Sequence, residues 1–149
     1  MAAVNDLEKV LQMQIDLAEA LIVNLRQQRE ALVNGGRGLS SLVEQGEGLV
    51  RPINALEAER ITIAKTIMQD VAPEKGVAGG TLSDLVDLLS ESDARRINAM
   101  GKRLRNAAEV VLRLSRENRP VIDHSLKFVR ENIKILTENF SRQLIDQKM

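Results

Sequence analysis

Few side chains in this 149-residue chain are equipped for chemistry, and the spacing of each works against it. The single histidine, His124, stands off the apolar line of its segment with no sulfur or second histidine nearby, so a surface position is expected rather than a metal site. Glu57 with Glu59, and Asp84 with Asp87, have the composition of an acid and base pair. Nothing around them supplies the burial that would separate two carboxyl pKa values. Gly79-Gly80-Thr81 lacks the lysine and the glycine spacing of a phosphate loop, and no serine stands in a G-x-S-x-G turn. The absence of cysteine removes disulfides, thiolate ligands and thiol nucleophiles together and fits a reducing compartment. No catalytic activity, metal or cofactor is expected.

Two charged features remain. Residues 95 to 119 hold eight basic side chains against two acidic ones, including Lys102-Arg103-Leu104-Arg105, which raises the idea of an acidic partner. A solvated helix face, with Glu109 and Arg113 paired at i, i+4, is the commoner use of such a run. Arg60 differs because it falls on an apolar stripe. A buried guanidinium requires a carboxylate or carbonyl, which Glu57 or a glutamate of the first helix would supply, making Arg60 a structural register lock.

The elements that carry these residues all read as helices. Val4, Leu7, Leu11, Ala18, Leu21, Leu25 and Leu32 recur at heptad spacing, with Gln14 and Gln28 as polar members, predicting a helix over 4–34. Asn34-Gly35-Gly36-Arg37-Gly38 ends it. The spacing resumes at Leu39, Leu42, Leu49, Ile53, Leu56, Ile63 and Ile67, interrupted by Gly46 and Arg60, for a second helix over 39–71. Pro52 would clash with the Gly48 carbonyl and delete a hydrogen bond, so a kink or a restart near residue 51 is expected. Two such helices on a short loop pair as an antiparallel hairpin. Residues 72–80, rich in glycine with Pro73, form a flexible joint.

Thr81, with Asp84 three residues on, opens a short helix over 81–90, and Ser92-Asp93 opens a long one over 92–144. Its stripe runs through Ile97, Met100, Leu104, Ala107, Val111 and Leu114. After Asn118 and Pro120, where a kink or break is expected, a displaced stripe follows at Ile122, Leu126, Val129, Ile133, Leu136, Phe140 and Leu144. No strand pattern occurs. The expectation is one all-α domain over 1–149, an elongated antiparallel bundle of coiled-coil-like helices.

Composition narrows the partners. Lys plus Arg equals Asp plus Glu at 21 each, so no net field draws the chain to nucleic acid or an anionic membrane. Phe128 and Phe140 are the only aromatic residues, too few to stack bases. No apolar run is long enough to span a bilayer, and Asp6 and Glu8 stand where an export signal would carry basic residues. A cytoplasmic protein that recognises its partner by shape and apolar contact is expected.

Length singles out one stripe. Helices of roughly 30 residues span about 45 Å, whereas residues 93–144 as one rod would span about 78 Å and outrun the hairpin by about 30 Å. Seven large apolar side chains left in water would forgo on the order of 10 to 20 kcal/mol. Either the chain turns back at Pro120 and closes a four-helix bundle, or another molecule covers the stripe.

Three local patterns, taken in order, resemble the FlgN family of flagellar export chaperones. They are Arg29-Glu30-Ala31-Leu32, Leu56-Glu57-x-Glu59-Arg60, and Asn118 followed by Ser125-Leu126-Lys127-Phe128-Val129, with Thr81-Leu82-Ser83-Asp84-Leu85 in the same frame. The resemblance spans essentially the whole chain, through short motifs. It implies a cytoplasmic, non-enzymatic α-helical protein that holds hook-associated (hook-filament junction) proteins and delivers them to the flagellar type III export apparatus. It also implies that the C-terminal stripe engages a helical terminal region of the substrate. Pro120 and the lack of the family's C-terminal tyrosine are departures, and Phe140 is the nearest aromatic residue to that position.

The binding residues expected are Ile122, Ser125, Leu126, Val129, Ile133, Leu136 and Phe140, with Arg60, Asn118 and Pro120 structural. The other reading is a coiled-coil scaffolding module whose stripe a second copy covers as a homodimer.

Overall fold

The amide groups that end the first helix show how closely the chain follows its glycines. Gly35, at φ +95°, takes the left-handed position that an L side chain rarely adopts. The Gly36 amide donates to the Ala31 carbonyl and the Gly35 amide to the Leu32 carbonyl, the paired bonds of a Schellman stop.

The computed structural model describes residues 2–71 and 82–125. It contains α1 (Ala2–Val33), α2 (Leu39–Val71), the five-residue α3 (Leu82–Val86) and α4 (Glu91–Ser125). No strand occurs among the described residues, and the fold is all-α. The expected joint at 72–80, Thr81 and the segment from Leu126 onward lie outside the described residues. α3 is shorter than the helix expected over 81–90: after Val86 the chain tightens through Leu88 to Leu85 and Leu89 to Val86 bonds. α4 starts one residue before the expected Ser92, because Ser90 caps it by accepting from the Asp93 amide at 3.3 Å.

Both interior prolines are carried without a break. α2 runs through Pro52, so the restart expected near residue 51 does not occur. α4 likewise passes Pro120 and continues to Ser125, so the helix is not broken at 118–120. The carbonyls that lose their donors belong to Gly48 and Arg116, both on exposed residues where water can replace the missing bond.

Cross-helix bonds give the directions. Gln14 meets Glu57 and Asn24 meets Leu42, so α2 runs antiparallel to α1. Glu8 meets Arg96 and Arg29 meets Glu117, both 88 residues apart, so α4 runs parallel to α1. The core joins Leu7, Leu11, Ile15 and Leu25 of α1 with Val50, Ile53 and Ile67 of α2, Leu82 and Leu85 of α3, and Ile97, Leu104 and Val111 of α4.

α1 packs against both α2 and α4, while α3 packs against α2 and α4. α3 therefore occupies the corner diagonal to α1 in a square, four-cornered bundle. Being five residues long, it is the only described helix in that corner and lies at one end of it. Burial on α2 is shifted: the stripe read from the sequence contained Leu42 and Leu49, yet Val43 and Val50 are the buried residues and the two leucines are half-buried.

Candidate partner-binding surface

Polar side chains set the register of the hairpin. Gln14 is completely buried and donates through Nε2 to Glu57 Oε2 at 3.2 Å. Arg60, also buried, faces the same carboxylate from the next turn, with Nη2 at 2.7 Å from Oε1 and Nε at 3.0 Å from both oxygens. Two polar interruptions of the stripes, one on each helix, thus meet through Glu57.

Toward the loop, Asn24 donates to the Leu42 carbonyl at 2.8 Å, and Gln28 donates to Asn24 Oδ1 at 2.7 Å. Gly46 makes room for this pair: a Cβ there would lie 2.8 Å from Asn24 Oδ1.

A second polar clasp ties α4 to α1. Asn118, 1 % exposed, donates through Nδ2 to the Leu25 carbonyl at 3.0 Å. Arg29 donates to the Glu117 carbonyl at 3.2 Å, from the opposite helix. Pro120 follows within the same turn, exposed on its outer side. The three motifs that pointed to an export chaperone therefore contribute clasps between helices as far as Asn118.

The basic run on α4 is answered within the molecule. Arg95 pairs with Glu91, Arg96 with Glu8 and Asp93, Arg103 with Glu19, Arg105 with Glu109, and Arg113 with Glu117. Glu109 thus pairs with Arg105, one turn earlier, and not with Arg113 as the sequence suggested. Its hydrogen bond to Glu8 holds the Arg96 guanidinium above its ordinary pKa, against a smaller desolvation. With five of its eight basic residues paired, the run is a solvated face.

Of the expected binding residues, Ile122 and Ser125 fall on the last turn of α4. Leu126, Val129, Ile133, Leu136 and Phe140 lie outside the described residues. His124 shares that last turn, and no group of metal-binding side chains occurs among the described residues. The offset of 88 brings the end of α1, Val33, level with Val121. The expected stripe thus begins where the hairpin ends.

Two apolar features escaped the sequence reading. One is a second buried row on α4, Ala108, Leu112 and Ser115, with Val43 and Val50 buried on α2. The signal for it was present: Ala108, Leu112 and Ser115 form a row about a quarter-turn from the α1-facing row of Ala107, Leu114 and Asn118. The other is an outer groove between α1 and α2, lined by Met13, Leu17, Pro52, Ala55 and Leu56 with Asp16 and Glu59. Met13 and Leu17 stand off the heptad stripe, which is why they were passed over.

No described helix is long and apolar enough to cross a membrane. The model of the FlgN protein family matches residues 1–145, nearly the full length. No curated protein and no solved structure matches the chain. A family match of that extent, on a strandless helical frame whose clasps use the family-like motifs, places the chain in the FlgN family of flagellar export chaperones, which is not an enzyme family.

Proposed function

We propose that this chain is a cytoplasmic chaperone for hook-associated proteins. It binds an amphipathic helical terminal segment of the substrate through Ile122, Ser125, Leu126, Val129, Ile133, Leu136 and Phe140, masks it from self-association, and delivers the substrate to the export apparatus. The mechanism is reversible burial of apolar surface, a helix laid against a helix. Family membership supports the class of partner. The observation that carries the choice of surface is that α4 passes Pro120 unbroken and reaches the end of the hairpin at Val121. The apolar stripe that follows has no hairpin alongside it unless the chain turns back.

Co-purification of a tagged copy with a hook-associated protein tests the reading. Leu126→Glu with Ile133→Glu is expected to abolish co-purification while circular dichroism keeps most of the helical signal. Retained co-purification would place the binding surface elsewhere. Light scattering separates the self-associating scaffold: a tight dimer with no affinity for hook-associated proteins would sink the chaperone reading.

A further inference from the structure

We infer that the outer groove between α1 and α2 is a second docking surface, one that takes an amphipathic helix of another protein whose apolar row is flanked by lysine or arginine. The inference rests on the hairpin alone and not on the stripe reading.

Two short rows build the groove. Met13 and Leu17 stand one turn apart on α1, and Pro52 and Leu56 stand one turn apart on the antiparallel α2. Together they line a trough of about 470 Å³ that is open to solvent, with Met13 52 % exposed. Only α1 and α2 contribute to it, since α4 lies along the side of α1 that carries Glu8 and Glu19. The clasp of Gln14, Glu57 and Arg60 sits at the same level, so the two rows are held in register before any partner arrives. That clasp accounts for Glu57 and Arg60 of the Leu56-Glu57-x-Glu59-Arg60 motif, and the groove takes up Leu56 and Glu59.

Charge selects the occupant. Asp16 and Glu59 flank the trough, and no cationic side chain lines it. Asp16 accepts from Gln12 Nε2 at 2.9 Å, and Glu59 forms no ion pair among the described residues. Pro52 also leaves the Gly48 carbonyl, one turn earlier on α2, without its helical donor. A helix that covers the apolar rows and brings cationic donors to these acceptors is complementary in both respects. A second copy seated groove to groove would instead set Asp16 and Glu59 against carboxylates of their own kind. At 1.5 Å per residue, Leu17 lies about 24 Å along α1 from the level of Val33, so this surface is separate from the expected stripe.

The sequence supplies two clean reporters. It has no tryptophan or tyrosine, so a tryptophan in a peptide reports binding without background, and Met13 is one of five methionines that methyl NMR resolves. Two synthetic amphipathic helices are compared, identical in their leucine row and single tryptophan, with lysines flanking the row in one and glutamates in the other. The lysine peptide is expected to shift the Met13 methyl signal, assigned by its loss in Met13→Leu, along the same saturation curve as the tryptophan emission. The glutamate peptide is expected to leave Met13 in place. Asp16→Lys with Glu59→Lys, both at exposed positions and checked for folding by circular dichroism, is expected to weaken binding of the lysine peptide at least several-fold. No saturable binding, an unmoved Met13 when the emission saturates, equal shifts from both peptides, or undiminished affinity in the folded variant would each overturn the inference. A Met13 shift that grows with protein concentration in the absence of peptide, with a dimer in light scattering, would overturn it in favour of a second copy.

Discussion

At the scale of single residues, the polar positions on the stripes carry more information than the apolar ones. Arg60→Ala removes the cation from a buried carboxylate and is expected to cost about 3 to 5 kcal/mol in urea unfolding, whereas Glu57→Leu with Arg60→Met and Gln14→Leu, which also removes the buried amide that donates to Glu57, is expected to be close to neutral. Equal losses in both would mean that the pair contributes net stability beyond its own desolvation. The two helical glycines of α2 make an independent pair. Gly48 is exposed with open space where a Cβ would go, so Gly48→Ala should stabilise by up to about 1 kcal/mol. Gly46→Ala should destabilise instead, because it presses on an Asn24 amide held by two hydrogen bonds. Arg96 makes no pH switch. Its pKa is raised in the folded chain, so its contribution is complete below the unfolded value and is lost only as pH rises above it. Stability traces between about pH 5 and pH 9 should show no step abolished by Arg96→Gln. Arg60 was recognisable in the sequence because a charge on an apolar stripe needs a partner. Asn24 was not, because an asparagine beside a stripe reads as surface until the facing glycine is known.

Among the elements, the helix order and the hairpin were legible from periodicity and from Asn34-Gly35-Gly36, but neither proline interrupts its helix, so of a kink or a break only the break is ruled out. A proline costs a helix one bond and a local clash, and both Pro52 and Pro120 leave the freed carbonyl on an exposed residue. Tertiary packing on both sides of Pro52, and on the N-terminal side of Pro120 through Asn118, holds the helices together. Pro120→Ala is therefore expected to raise the midpoint of unfolding and to add one protected amide, at position 120 itself, without changing which other amides from Asn118 to Ser125 are protected in hydrogen exchange. Newly acquired protection at those other amides would mean that the native helix is interrupted. The displaced burial on α2, at Val43 and Val50 in place of Leu42 and Leu49, was not legible from heptad spacing.

For the whole molecule, equal numbers of acidic and basic residues leave no long-range field, and the basic face of α4 is answered by Glu8, Glu19, Asp93, Glu109 and Glu117. On the proposed function, recognition falls to apolar surface. The family was legible in scattered motifs, and residues of those motifs clasp α1 to α2 and α1 to α4. The proposed binding surface was only partly legible: its periodicity could be read, but where it begins relative to the hairpin depended on the parallel offset of α4 against α1. That offset starts the stripe where α1 ends. The most direct test is a calorimetric titration of the terminal helical segment of a hook-associated protein into the full-length chain and into its Leu126→Glu, Ile133→Glu variant. The account predicts saturable one-to-one binding to the parent and binding at least about 100-fold weaker to the variant, which is close to 3 kcal/mol. An unchanged Kd in a variant that keeps its helical content would contradict it.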